Sequence, residues 1–489
     1  MEDAMKLEKL YWKSSYYWIR YLNYDYIYQN SEQHELWLCN RKKQSLIIIK
    51  DTVNSSQEIR FDKSKIKENI NDIALKFNFQ PKTCDFYYFS DKPVPIEDLQ
   101  ELQPLKISVK IIASEADAQQ CIPNKFLRRL FNKKDSKTTA YYKKRVLNQN
   151  PLDKYMAKFS PATYSLITIN IVIWLSMILL LNRFSNIKLL DMGGLVHFNV
   201  VHGEWYRLIT SMFLHFNFEH ILMNMLSLFI FGKIVEAIIG PMKMLILYII
   251  SGLFGNFLSL SFNTDTVSAG ASGAIFGLIG AIIAMMIISK VYSRKMIGQL
   301  LIALVILIGF SLLLSNVNIM AHLGGFISGL LLIYIGYYYK ANRNIFWLLL
   351  IVFLILFILL QVRIFTIKED NIYNILIEDE MNHYNYNEAE KIVSQTLDNH
   401  YDDAKTYYLK GLITAATKSK AESIAEWERG LRNYPNSGLL NYELAIANRS
   451  LSDNKKAEKY INHALKVEPN NADYLNLKKE LKIVNEDKN

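Results

Sequence analysis

The sequence predicts a polytopic α-helical membrane protein with a soluble domain at each end, and three observations carry that prediction. Apolar stretches recur between residues 163 and 360 with few charges, whereas residues 1–150 and 368–489 hold most of the Lys, Arg, Asp and Glu. The basic residues of the middle cluster on alternate links between those stretches, as they do in membrane loops. Beyond residue 368 amphipathic helices take over, and Gly411, Ser423, Gly430 and Pro435 are answered 34 positions on by Ala445, Ala457, Ala464 and Pro469.

The amino-terminal part, residues 1–125, reads as a small mixed α/β domain. An aromatic-rich start (Tyr11, Trp12, Tyr16, Tyr17, Trp18) is followed by strand patterns at 35–39, 45–50, 85–90 and 105–112, with a helix over 64–77 marked by Ile66, Ile70, Ile73 and Leu75. Residues 126–160 read as a basic linker, with Lys133, Lys134, Lys137, Lys143, Lys144 and Arg145 holding this end on the cytoplasmic side. No cleavable leader pattern opens the chain, so insertion is expected to begin at the first internal span. The net charge of +10 sits beside apolar runs, which argues for membrane loops and against a nucleic-acid partner. Cys39, Cys84 and Cys121 show no CxxC spacing, so neither a disulfide framework nor a metal site is expected, and no cofactor motif is present.

Spans are expected at residues 163–181, 218–238, 242–262, 269–288, 297–314, 320–339 and 345–360. The first six make a core over 161–340, and a seventh helix lies in 341–366. The second span is the weakest, because it contains His220, Asn224, Lys233 and Glu236. Residues 183–211 are too polar to span and too apolar for an ordinary loop. Cations mark the links after spans two, four and six as cytoplasmic, which puts the N-terminus inside and the C-terminus outside.

Polar groups inside spans are costly and mark candidate function. His220 and Asn224 share a helical face, Ser272 opens span four and His322 lies near the start of span six. These spans run from outside to inside, so all four groups sit within about 10 Å of the outer surface. Gly273, Gly277 and Gly280 on span four, and Ala321, Gly325 and Gly329 on span six, give small faces that let the two backbones touch and bring Ser272 within reach of His322. A hydroxyl beside an imidazole suits acyl transfer, with the Ser272 N–H, His220 and Asn224 as oxyanion donors. No Asp or Glu in the spans is placed to orient His322, so a two-residue dyad is indicated. The competing readings are packing alone, a catalytically inactive membrane adaptor, and a transporter; the last lacks a carboxylate pathway.

The combination Trp205-Tyr206-Arg207, His220-x-x-x-Asn224, Gly270-x-Ser272-Gly273 and Ala321-His322-x-x-Gly325 resembles the rhomboid family of intramembrane serine proteases over residues 163–340. The resemblance implies Ser272 as nucleophile and His322 as base, with His220, Asn224, Gly270 and Gly273 forming or supporting the oxyanion site. It implies that Trp205 and Arg207 stabilise the outer loop, that Phe276 stacks on the base where many relatives have Tyr, that Gly325 serves close packing, and that His215 lines the cavity. Tyr206 is inserted where relatives have a tighter Trp-Arg pair. The 34-residue echo is similar to tetratricopeptide repeats, expected over 370–485, with clear copies at 403–436 and 437–470 and an earlier one in which Thr396 replaces the small residue. The layout resembles Gram-positive bacterial rhomboids. It implies a plasma-membrane protease, transmembrane protein substrates within the lipid bilayer, and a protein or peptide partner for the repeats.

Overall fold

The computed structural model describes residues 2–32, 34–92, 94–96, 105–133, 135–148, 151–180, 185–289, 297–299, 302, 305, 318–368 and 370–486. The chain divides into two compact units, one holding the N-terminal domain with residues 232–244, the other most of the membrane helices and the C-terminal helices.

The first unit is built on a five-stranded sheet of order β1 (Asp25–Asn30), β2 (Glu35–Asn40), β3 (Ser45–Lys50), β4 (Thr83–Phe89) and β5 (Lys106–Ile112). The β1–β2 and β2–β3 pairs are antiparallel, and the β3–β4 and β4–β5 pairs parallel. Two helices, Ser56–Glu68 and Ile70–Phe77, make the crossover that a parallel pair requires. Alternation sorts the side chains into two cores. Leu36, Leu38, Ile47, Ile49, Tyr87 and Phe89 pack against Tyr11, Tyr16 and Trp18 of the helix Glu2–Tyr21, while Trp37, Leu46, Ile48, Phe86 and Tyr88 pack against Ile59, Ile66 and Ile73.

Three features differ from the sequence expectation. Strand β1 was not expected. The helix expected at 64–77 begins at Ser56, where the Ser55 hydroxyl accepts from the Glu58 N–H, and it breaks at Asn69. Residues 125–132 and 139–146, expected to lie in a linker, are helices whose Phe131, Tyr142 and Val146 are buried in the core that Tyr16 and Tyr17 share. Their lysines occupy the opposite faces, which is why the stretch reads as a linker by charge alone.

One buried ion pair ties the crossover to the sheet. Lys50 Nζ donates to both Asp62 oxygens at 2.6 and 2.8 Å, and the Tyr88 hydroxyl donates to the same carboxylate at 2.8 Å. Removing one partner of a buried pair leaves the other charge uncompensated. Asp62→Ala is therefore expected to cost about 3–5 kcal/mol, read by hydrogen exchange as a fall of at least about 100-fold in amide protection across β3 and β4. Protection within tenfold of the wild type would contradict it.

Six helices among the described residues are long and apolar enough to cross a membrane: Pro161–Leu180, Phe218–Ile239, Pro241–Leu260, Ser272–Ser289, Ile319–Ala341 and Arg343–Thr366. The protein is a polytopic helical membrane protein. The span expected at 297–314 lies almost entirely outside the described residues. The weak second span forms a continuous helical segment with one turn of π geometry at Leu228–Gly232. Its charges are paired: Glu236 accepts from the Ala162 and Thr163 N–H groups and the Thr163 hydroxyl, and Lys233 donates to the Lys158 carbonyl and the Tyr164 hydroxyl.

After the last span come helices Ile372–Asn382, Tyr386–Asp398, Ala404–Thr417, Lys420–Asn433, Gly438–Ser450, Asn454–Val467 and Ala472–Glu486. Asn371, Asp403, Ser419, Ser437 and Asp453 cap five of them with side-chain oxygens. Small residues stand where neighbouring helices touch: a Cβ on Gly411 would lie 2.0 Å from the Trp427 indole nitrogen, and Ala445, Ala457 and Ala464 are fully buried. Thr396 is buried as well, its hydroxyl donating to the Ile392 carbonyl at 2.7 Å, so the larger residue fits by satisfying itself within its own helix.

Candidate active site

Three helix starts define the site. Asn217 caps the helix Phe218–Ser227, accepting from the His220 N–H, and so presents His220 and Asn224 on one face. Asn318 caps the helix Ile319–Ala341, accepting from the Ala321 N–H, and places His322 in its first turn. Ser272 is the first residue of its own helix.

The serine and histidine helices pack backbone on backbone. A Cβ on Gly325 would lie 1.9 Å from the Gly273 carbonyl oxygen, and one on Gly329 would lie 1.9 Å from that of Gly277. That approach brings His322 Nε2 to 2.8 Å from Ser272 Oγ. Phe276, one turn along, stacks on the imidazole with ring centroids 4.2 Å apart and planes 10° apart.

The backbone entering the serine helix is fixed from several sides. Leu195 and Ser268 exchange two N–H···O bonds of 2.8 and 2.7 Å, and the Gly270 N–H donates to the Ser211 carbonyl at 2.8 Å. Gly270 has φ of +129°, and a Cβ there would meet the His220 ring at 2.8 Å and Asn224 Nδ2 at 3.6 Å. Only glycine satisfies both the conformation and the space. His220 and Asn224 thus lie over the residue two positions before Ser272, and the buried Asn224 Nδ2 has no hydrogen-bond partner among the described residues. His215 is fully buried 5.1 Å from the His220 ring, with both ring nitrogens likewise unpartnered.

In the loop between the first two spans the Arg207 guanidinium is buried and folds the chain on itself. It donates to the Leu190 carbonyl, to that of Gly194 at 2.9 Å, and pairs with Glu204 at 2.6 Å. Trp205 is exposed, tilted against Phe365, and Tyr206 is exposed with its hydroxyl on Glu204. The structure therefore gathers Ser272, His322, His220, Asn224, Gly270, Gly273, Phe276 and Gly325 in one place and puts Trp205 and Arg207 in the loop beside it.

Glu204, Asn256 and Asn318 were not singled out from the sequence. Asn256 Nδ2 ties the Leu208 carbonyl at 2.8 Å to the Ser211 hydroxyl at 3.1 Å, and Asn318 Nδ2 donates to the Ser259 and Ser268 hydroxyls. For Asn318 a signal exists, an asparagine directly before an apolar helical run, which is a cap pattern. Among the described residues no group of three or more His, Cys, Asp or Glu is placed to hold a metal ion.

Fold and site together define a polytopic helical membrane protein with a half-buried serine–histidine pair at helix ends and donors unclaimed beside it, parts suited to nucleophilic acyl transfer. The Rhomboid domain model matches residues 202–339. YdcA of Bacillus subtilis (strain 168), a chain classed among rhomboid proteases, is 39% identical over 150 residues, 29% of this chain and 73% of that one. RHOMBOID-like protein 1 of Arabidopsis thaliana is 39% identical over 169 residues, 32% of this chain and 43% of its own length. Rhomboid protease GluP of Bacillus subtilis (strain 168) is 36% identical over 131 residues, 27% of this chain and 26% of its own length. The chain belongs to the rhomboid family.

Proposed function

We propose that the chain is an intramembrane serine endopeptidase that cuts transmembrane segments of other membrane proteins near the outer face of the bilayer. The observation that carries this reading is the 2.8 Å bond between His322 Nε2 and Ser272 Oγ, with His220 and Asn224 over the adjoining Gly270. In the proposed reaction Ser272 Oγ bonds to the scissile carbonyl carbon while its proton passes to His322 Nε2. The oxyanion is held by the Ser272 N–H at the helix start, the His220 ring and the Asn224 amide. Imidazolium then returns the proton to the leaving amine as the C–N bond breaks, and water hydrolyses the acyl ester through the same base. Phe276 holds the imidazole plane by stacking, in place of an orienting carboxylate.

The orientation we favour has the N-terminal domain cytoplasmic and the C-terminal helices outside the plasma membrane. The cation-rich links containing Lys233, Lys243, Lys340 and Arg343 support it. So does the second unit itself, in which Ile372, Leu376 and Ile377 share a core with Ile187, Leu190 and Phe198 of the outer loop, at the end where the serine helix begins. The C-terminal helices are read as tetratricopeptide repeats, because equivalent helices begin at 404, 438 and 472 and at 420 and 454. Such repeats bind a protein or peptide segment, and the layout is that of Gram-positive bacterial rhomboids.

Treatment of the purified protein with a fluorophosphonate tests the site. One adduct on Ser272 is expected, absent from Ser272→Ala and slowed at least about 100-fold in His322→Ala, since a neutral hydroxyl without its base is a poor nucleophile. A wild-type protein that leaves Ser272 unmodified would favour the adaptor reading instead.

A further inference from the structure

We propose that Tyr373, on the helix Ile372–Asn382, and Tyr401, in the link before the helix Ala404–Thr417, are positioning residues for the protease, holding through Glu204 and Asn199 the outer loop that sets the backbone before Ser272. This rests on the protease reading given above.

The path is continuous and polar. The Tyr401 hydroxyl donates to Glu204 Oε1 at 2.8 Å, and Asn199 Nδ2 donates to the same oxygen at 2.7 Å and to the Tyr373 hydroxyl at 3.1 Å. Arg207 Nε donates to Glu204 Oε2 at 2.8 Å, and its NH1 group gathers the Leu190 and Gly194 carbonyls. The next residue along, Leu195, exchanges its two backbone bonds with Ser268, and the far end of the loop, at Ser211, accepts from the Gly270 N–H. The segment 268–270, which aims Ser272, is thus bonded to the loop at both ends, and the loop is bonded to the two tyrosines.

The tyrosines are themselves held. Their rings stack with centroids 5.5 Å apart, and each meets Phe198 edge-on, at 6.0 Å for Tyr373 and 5.4 Å for Tyr401. Asn371 Nδ2 donates to the Tyr401 carbonyl at 2.6 Å. Apolar packing of Ile372, Leu376, Ile377 and Ile413 on Ile187, Leu190, Val196 and Phe198 would join these parts without any hydroxyl. The hydroxyls instead supply direction. Partial burial alone would raise the Glu204 pKa, yet the hydrogen bonds from Tyr206, Asn199 and Tyr401 and the charge of Arg207 bring it down to about 2. The carboxylate stays ionised and ties tyrosine, arginine and asparagine into one charge-assisted cluster.

Tyr→Phe substitution tests this, because it removes the hydroxyl and leaves the ring packing. For cleavage of a transmembrane reporter by the full chain in liposomes, Tyr401→Phe is expected to lower kcat about tenfold with KM unchanged within twofold, since small misplacements of reacting groups cost rate and not affinity. The Tyr373→Phe/Tyr401→Phe pair is expected to lower kcat further, with the melting temperature within about 2 °C of wild type. Equal kcat in the double variant and the wild type would overturn the proposal. So would a loss of activity matched by an equal loss of folded protein. Ser272→Ala run alongside separates the two readings: if it cleaves, Ser272 is not the nucleophile and the serine-protease reading fails, whereas an inactive Ser272→Ala beside a fully active Tyr401→Phe removes only the positioning role.

Discussion

Replacing Ser272 by alanine is expected to lower kcat for cleavage of a transmembrane reporter by on the order of 10⁴-fold or more, replacing His322 by alanine to do nearly the same, and combining them to add little. In the proposed reaction the pair acts as one device. Without Oγ no acyl-enzyme forms, and without Nε2 the proton of Oγ has nowhere to go at 2.8 Å. Free energies of such coupled groups do not add, so the double variant should sit at the level of the worse single one. Folding should survive in all three, because neither side chain forms the surface on which the two helices pack. Gly273 and Gly325 provide that contact through their backbones. Purified variants assayed in liposomes check this, with circular dichroism confirming equal folding. A double variant worse by the product of the two single effects would mean that serine and histidine act independently, and the dyad would be wrong.

How much of this was legible before the structure depends on the distance over which the governing interaction acts. Ser272 and His322 lie 50 residues apart, yet both were readable, because each sits near the start of a span and the glycine spacing of each helix is a local property. Glu204 was not readable: one of its donors, Tyr401, is 197 residues away, and a glutamate beside Trp205 looks like an ordinary loop acid. The crossover helix was misplaced for a related reason. Asp62 interrupts the apolar face made by Ile59 and Ile66, and only the pairing with Lys50 and Tyr88 shows that the face includes it. In the helix 139–146 the charges Lys143, Lys144 and Arg145 outweigh Tyr142 and Val146 by composition, while burial is decided by the helix Glu2–Tyr21 that no local pattern reveals. Strand β1 is an edge strand of half-buried residues, so it lacks the apolar run, buried on both faces, that marks β2 and β3.

Gly325→Ala is expected to damage the protease through geometry alone, without touching the serine or the histidine. The added methyl carbon would start 1.9 Å from the Gly273 carbonyl oxygen, a backbone atom that cannot rotate away. Relieving that overlap requires the serine and histidine helices to separate by more than about 1 Å, and His322 lies only three residues before Gly325, on the same helix. A shift of that size takes Oγ and Nε2 out of hydrogen-bond range and is expected to cost on the order of 100-fold in kcat, with about 1–3 kcal/mol of stability lost to overpacking. Gly336→Ala is the control, in the same helix and with nothing among the described residues within 4 Å of the added carbon. There alanine should be neutral or stabilising by up to about 1 kcal/mol, because it is the better helix former. If both variants cleave the reporter at the wild-type rate, the backbone contact of the two helices does not set the spacing of the pair. If Gly325→Ala alone fails, with its fluorophosphonate labelling slowed in proportion, the glycine face is what aims the base at the serine.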